Sequence, residues 1–342
     1  THASFLQYWK QYVAPNMAIP QPSFIELAHK PGVSVAYTFI PAKSIDGPSP
    51  LLVFLNGLMT TATSWNDTIS RLLAHDSHPA LLTYDRYGQG ASTDHDPADA
   101  HAPDPKHGHD CMEVVKDLHQ LITQVNNDHE LGLTNSGTGK GPGVFLIVNS
   151  IGGAISRLYA QTYPGTVSAI LFLDSVVANT DFVSIYPNPD NSNFKEKYTP
   201  LPEGVTEDGL RQARTMMQRI FHPDNGSAEG LTRKNLKDLL PDSDKPTLVG
   251  PDRKGPWITV VGHGFEAFAE ESLKGLGVPP PVTMNYGNPA WHRYNEGLTK
   301  ITSPERSKGP ILAEKCGHFI QRDDPEFVEK EILELLTKMN VH

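Results

Sequence analysis

Val148-Asn149-Ser150-Ile151-Gly152-Gly153 is the stretch on which the reading of this chain turns. It lies between an apolar run of strand length, 144–148, and a stretch with helical spacing, 152–163, that stops at Pro164-Gly165. A serine at such a junction sits at the C-terminal edge of a sheet, on a sharp turn, facing the N-terminus of a helix. Gly152 and Gly153 supply the small residues needed where strand and helix backbones converge. The helix end offers backbone N–H groups and the positive end of its dipole to a developing oxyanion. The plainer reading of the same residues is a strand-to-helix turn carrying an incidental serine.

Outward from this point, short apolar runs alternate with amphipathic stretches. Residues 24–28 and 33–40 read as two early strands joined by the turn Lys30-Pro31-Gly32. Further strands are expected at 51–55, 80–84, 169–173, 257–261 and 310–314, and helices at 63–73, 112–125, 209–221 and 325–339. Asp324 and Pro325 read as the cap and first position of the last helix. Residues 93–109, rich in Asp, His and Pro, read as an exposed loop. Strands apolar on both faces, alternating with helices, predict an α/β fold: a mainly parallel central sheet with helices on both faces. The two early strands are expected to form an antiparallel edge. Clusters of Pro, Asn and Asp interrupt the alternation over 177–256. The expected organisation is a core of 1–176 and 257–342 with an inserted cap of 177–256.

Composition narrows the function. The 342 residues hold 29 Lys and Arg against 39 Asp and Glu, a net charge of −10, which argues against nucleic acid as a partner. Two cysteines, Cys111 and Cys316, are too few for a disulfide framework. No run approaches the ~18 apolar residues of a membrane span, and no signal-like segment is read near Thr1. A cytoplasmic chain, monomeric or homodimeric, is expected. No His-Glu-x-x-His helix or Cys-x-x-Cys pair is present, and the glycine-rich 137–143 around Lys140 lacks phosphate-loop spacing, so neither metal nor cofactor is expected.

With these motifs in order, the chain resembles the α/β-hydrolase superfamily. Val148 stands where the pattern G-x-S-x-G has its first glycine. Leu51-Leu52-Val53-Phe54-Leu55-Asn56-Gly57-Leu58 is similar to the third strand and its His-Gly turn, with Asn56 in place of His. Asp85-Arg86-Tyr87-Gly88-Gln89-Gly90-Ala91-Ser92 looks like the turn after the fourth strand, where Asp85 and Arg86 are expected to be structural. The resemblance implies Ser150 as nucleophile and His318, in Cys316-Gly317-His318-Phe319, as its base. It implies Leu58 and Ile151 as oxyanion-hole donors. The acid that orients the histidine has two candidates: Asp174, after the sixth strand, which is preferred, and Glu266, after the seventh.

Candidate pocket residues are Met59, Trp65, Phe182, Tyr186, Met216, Met217, Phe221, His263, Phe265 and Trp291, mostly aromatic or thioether groups suited to an apolar small-molecule substrate. The expected activity is hydrolysis of an ester or lactone bond of a medium-sized hydrophobic molecule. The same fold also admits C–C hydrolysis, acyl transfer, pericyclic chemistry or a ligand receptor.

Overall fold

The computed structural model describes residues 19–45, 47–134 and 141–339. Most of the glycine-rich stretch 137–143 lies outside them. Among the described residues the chain forms one eight-stranded sheet: β1 (Ser23–Glu26), β2 (Ser34–Ile40), β3 (Leu51–Leu55), β4 (Leu81–Tyr84), β5 (Val144–Ser150), β6 (Val167–Ser175), β7 (Trp257–His263) and β8 (Ser307–Ala313), in the order β1-β2-β4-β3-β5-β6-β7-β8. β1, β2 and β4 pair antiparallel, as the short turn after β1 requires, and every other pair is parallel.

Alternate residues of each strand feed opposite faces. Val53, Leu55, Leu146, Val148, Ile170 and Phe172 pack on one side, with α2 (Cys111–Asp128) and α3 (Ile151–Thr162). Leu52, Phe54, Phe145, Ile147, Leu171 and Leu173 pack on the other, with α1 (Asn66–Leu73) and α7 (Pro325–Lys338). Burial on both faces explains why these strands read as unbroken apolar runs. Asp110 opens α2 by accepting from the Met112 and Glu113 amides, and Asp324 opens α7 by accepting from Phe327.

Between β6 and β7, residues 177–256 hold α4 (Glu207–Ile220) and two short helical turns. Their apolar residues, among them Phe182, Leu210, Ala213, Leu231 and Leu240, belong to the same cluster as α2 and α3, so the segment shares its core with the sheet. After β7 come α5 (Phe265–Leu276) and, through a π-helical turn, α6 (Asn288–Leu298), neither of which was expected from periodicity. Two expectations are corrected. Residues 93–109 are not a fully exposed loop: Asp96, Asp99 and His109 are buried, with Asp96 paired to Lys30 and Asp99 to His109. Trp65 is a core residue and lines no pocket. It is fully buried against Phe54, and its indole N–H donates to Asn56 Oδ1 at 2.9 Å.

The junction of β5 and α3 is close-packed. A Cβ on Gly152 would stand 2.7 Å from the Leu55 carbonyl oxygen, and one on Gly153 would stand 2.2 Å from Ser175 Oγ. Val148 sits in regular register with Leu55 and Phe172, so the close approach falls after the serine and no glycine is needed before it. Gly152→Ala is expected to lower the unfolding free energy by about 1–3 kcal/mol, because the clash is with backbone. Urea denaturation beside the wild type measures it.

Candidate active site

The ends of β5, β6 and β7, with the loops after β3 and β8, converge on one edge of the sheet. Ser150 closes β5 with φ 56° and ψ −121°, outside the regions a side-chain-bearing residue ordinarily occupies. Its carbonyl accepts from the Val176 amide at 3.0 Å, which holds the turn against the end of β6. The preceding Asn149 is buried and donates from Nδ2 to the carbonyls of Leu173 and His318, both at 2.9 Å. One amide therefore ties together the strand ends that carry Ser150 and Asp174 and the backbone of His318.

Asp174 is fully buried and also has positive φ, 48°. Its Oδ2 accepts from His318 Nδ1 at 2.6 Å. Its Oδ1 lies 2.9 Å from His263 Nδ1 and accepts from the His263 backbone N–H at 3.3 Å. Burial alone would raise this carboxyl's pKa. The charge and hydrogen bond of His263, with those of His318, outweigh it and hold the group at about 2. Of the two candidate acids, Asp174 is thus the one joined to His318. Glu266 is exposed on the first turn of α5.

His318 is fixed from behind by two acids that sequence reasoning missed. Glu271 on α5 accepts from its backbone N–H and Asp323 from that of Gly317, each at 2.8 Å. Burial lowers the imidazole's pKa, but the bond to Asp174, its charge and those of Glu271 and Asp323 prevail, so it lies above the ordinary value of 6.5. Among the described residues the Ser150 hydroxyl and the His318 ring are not hydrogen-bonded to each other; the ring is held by Asp174. Contacts of this kind tighten when substrate is present.

The loop after β3 lies against the serine: a Cβ on Gly57 would stand 3.3 Å from Ser150 Cβ. Asn56, where a histidine was the pattern, donates to the Tyr84 carbonyl and accepts from Trp65, locking the ends of β3 and β4 together. Arg86 donates to the Asn56 and Gly57 carbonyls at 2.9 and 2.8 Å and forms a buried ion pair with Glu229 of the 177–256 segment. Glu229 in turn accepts from the Met59 amide at 2.9 Å. Leu58, between these clamped residues, and Ile151, at the start of α3, have N–H groups with no protein acceptor among the described residues. Asp85 accepts from the Ala62 and Ala91 amides, in keeping with a structural part. Glu229 carried no signal in the sequence, since no motif surrounds it.

Ring contacts run from His318 to Trp291, then Phe182, then Phe221, with centroids 5.8, 5.9 and 6.0 Å apart. Tyr186 is buried in the same cluster, with Met216 and Phe221 packed against it. Trp291 is anchored by its indole N–H on the Ser175 carbonyl. His263, expected to line the pocket, lies instead behind Asp174, 2% exposed, because it satisfies that carboxylate. Among the described residues no group of His, Cys, Asp and Glu is arranged to hold a metal ion, and no helix is long and apolar enough to cross a membrane.

Residues 52–331 match the model of the alpha/beta hydrolase family. Among solved structures, the chain is similar to monoglyceride lipase from Saccharomyces cerevisiae, with TM-score 0.56 and 14% identity over 94% of this chain and 96% of that one. An epoxide hydrolase from Vigna radiata gives TM-score 0.53 and 13% identity, covering 93% and 98%. A thermophilic esterase from Thermogutta terrifontis gives 0.51 and 14%, covering 93% and 99%. At these identities the likeness is one of fold. No curated protein sequence matches.

Replacing Glu229 by alanine strands the Arg86 guanidinium without its buried partner. The expected loss is about 3–5 kcal/mol of unfolding free energy, read by chemical denaturation, whereas a surface ion pair would lose about 0–1 kcal/mol.

Proposed function

This chain belongs to the α/β hydrolase family, and we propose that within it the chain cleaves an ester or lactone bond of a medium-sized hydrophobic molecule through Ser150, His318 and Asp174. The observation that carries this reading is the 2.6 Å bond from His318 Nδ1 to a buried Asp174, beside a serine in a strained strand-to-helix turn. Bonding through Nδ1 leaves Nε2 of His318 to take the Ser150 proton as the hydroxyl oxygen attacks the carbonyl carbon. The Leu58 and Ile151 amides would hold the oxyanion. Collapse of the tetrahedral species would expel the alkoxide, which His318 protonates. Water, activated by the same histidine, would then release the acid from Ser150. In a lactone, acyl and alcohol parts leave as one chain.

The aromatic series from His318 to Phe221, with Met59, Tyr186 and Met216 nearby, supports an apolar substrate. In this reading 177–256 is the cap over the core of 1–176 and 257–342, and α6 contributes Trp291 to the same wall.

A fluorophosphonate probe followed by mass mapping tests the proposal. An adduct on Ser150, absent from Ser150→Ala and His318→Ala, is expected, and a folded wild type that takes none would overturn it. Asp174→Asn is expected to lower kcat/KM by about 10⁴-fold while Glu266→Gln leaves it near normal, and the reverse would reassign the acid. His318 must be neutral to act as base, and its charged form is favoured above the ordinary histidine value. The rate is therefore expected to fall with decreasing pH, with a midpoint above 6.5 in a kcat/KM profile.

A further inference from the structure

His263 takes no part in the proton path proposed above, yet it is almost fully buried against Asp174. Both of its ring nitrogens face oxygen: Nδ1 lies 2.9 Å from Asp174 Oδ1, and Nε2 lies 3.1 Å from Asn288 Oδ1. The orientation of the Asn288 amide is set by its other end. Its Nδ2 donates to the Phe265 carbonyl at 3.1 Å and points to the Met284 sulfur at 3.2 Å. Neither atom can donate, so a flipped amide would set acceptor against acceptor. The atom turned to His263 is therefore an oxygen, which only accepts, and the carboxylate of Asp174 only accepts as well. A neutral imidazole has one N–H and one lone pair, and in either tautomer its lone pair would face one of these oxygens.

We infer that His263 is held as an imidazolium, a proton on each ring nitrogen, and serves as a positioning residue that shares Asp174 with His318. Phe268 stacks on the ring with centroids 3.9 Å apart, and Trp291 presents its ring at 5.7 Å, surroundings that suit a cation. The charge state rests on hydrogen-bond chemistry alone, while its catalytic consequence rests on the proposed function above. Asp174 and His263 together are neutral. His318 therefore gains its proton beside a paired carboxylate rather than a bare one, and its pKa is lower than Asp174 alone would set. The other groups around the pair are Glu271 and Asp323, which bond the backbone of the His318 loop, and on α6 His292, which lies 3.8 Å from Glu296 and meets the edge of the Phe265 ring. None of them bonds the His263 ring.

Nitrogen NMR of histidine-labelled protein tests this without turnover. At a pH where exposed histidines are neutral, His263, assigned by its loss in His263→Asn, is expected to show both ring nitrogens protonated. A single protonated nitrogen would overturn the inference. In His263→Asn, which removes the charge, the NMR titration of His318 is expected to move up by about one pH unit, and an unmoved titration would refute the sharing. Asn288→Leu serves as a second variant. It removes the acceptor at Nε2, and His263 is then expected to lose that proton and titrate, while a ring that remains doubly protonated would show that Asn288 does not set its state. A doubly protonated His263 in a chain whose Ser150 takes no probe would sink the hydrolase reading and leave this one standing.

Discussion

A carboxylate with no exposed surface is the constraint on which the candidate site depends. Asp174 stands at the end of the central strand β6 and has lost all contact with solvent. Burying such a charge is costly unless it is paired and hydrogen-bonded. Its partners come from the strand end beside it and from the loop after β8: two N–H groups of His263 and one of His318. On the other side of β6, Ser150 pairs in register with Ser175. Strand order, with the loop after β8, thus brings serine, acid and histidine to one edge, although His318 lies 144 residues from Asp174 in the sequence.

The backbone bears the mark of this arrangement. Seven described residues other than glycine have positive φ, and four of them, Met59, Ser150, Asp174 and Phe182, lie at this edge. Each such conformation costs on the order of 1–3 kcal/mol and persists only where neighbours over-determine it. The neighbours are identifiable: the Glu229 carboxylate on the Met59 amide, the Val176 amide on the Ser150 carbonyl, and the two imidazoles on Asp174. Strain, buried charge and ring contacts coincide here.

The core was legible because its chemistry is local. Both faces of β3, β5 and β6 are buried, so their sequences are unbroken apolar runs; Ser150 ends β5 two residues before Gly152, and His318 follows Gly317 in the loop after β8. Asp174 was legible as one of two acids, since spacing cannot say which carboxylate meets the imidazole. What escaped were contacts across long separations. Glu229 lies 143 residues from Arg86 and no motif surrounds it. Helices α5 and α6 went unread because few of their buried residues are large and apolar: Ala269 and Ser272 are buried in α5, and Asn288, Tyr294, Asn295, Gly297 and Leu298 in α6. Trp65 and His263 were misplaced for a shared reason. Each has a polar ring nitrogen that found a buried partner, and residue type alone does not distinguish that fate from lining a cavity.

The Arg86–Glu229 pair has a consequence for how such a protein diversifies. Residues 177–256 lie between β6 and β7 of the sheet. Glu229 belongs to this segment, while the Met59 amide and the Arg86 guanidinium belong to the loops after β3 and β4. Exchanging this segment for a foreign one would orphan a buried cation and release the loop beside the serine. The segment and the sheet are therefore not interchangeable modules but a matched set.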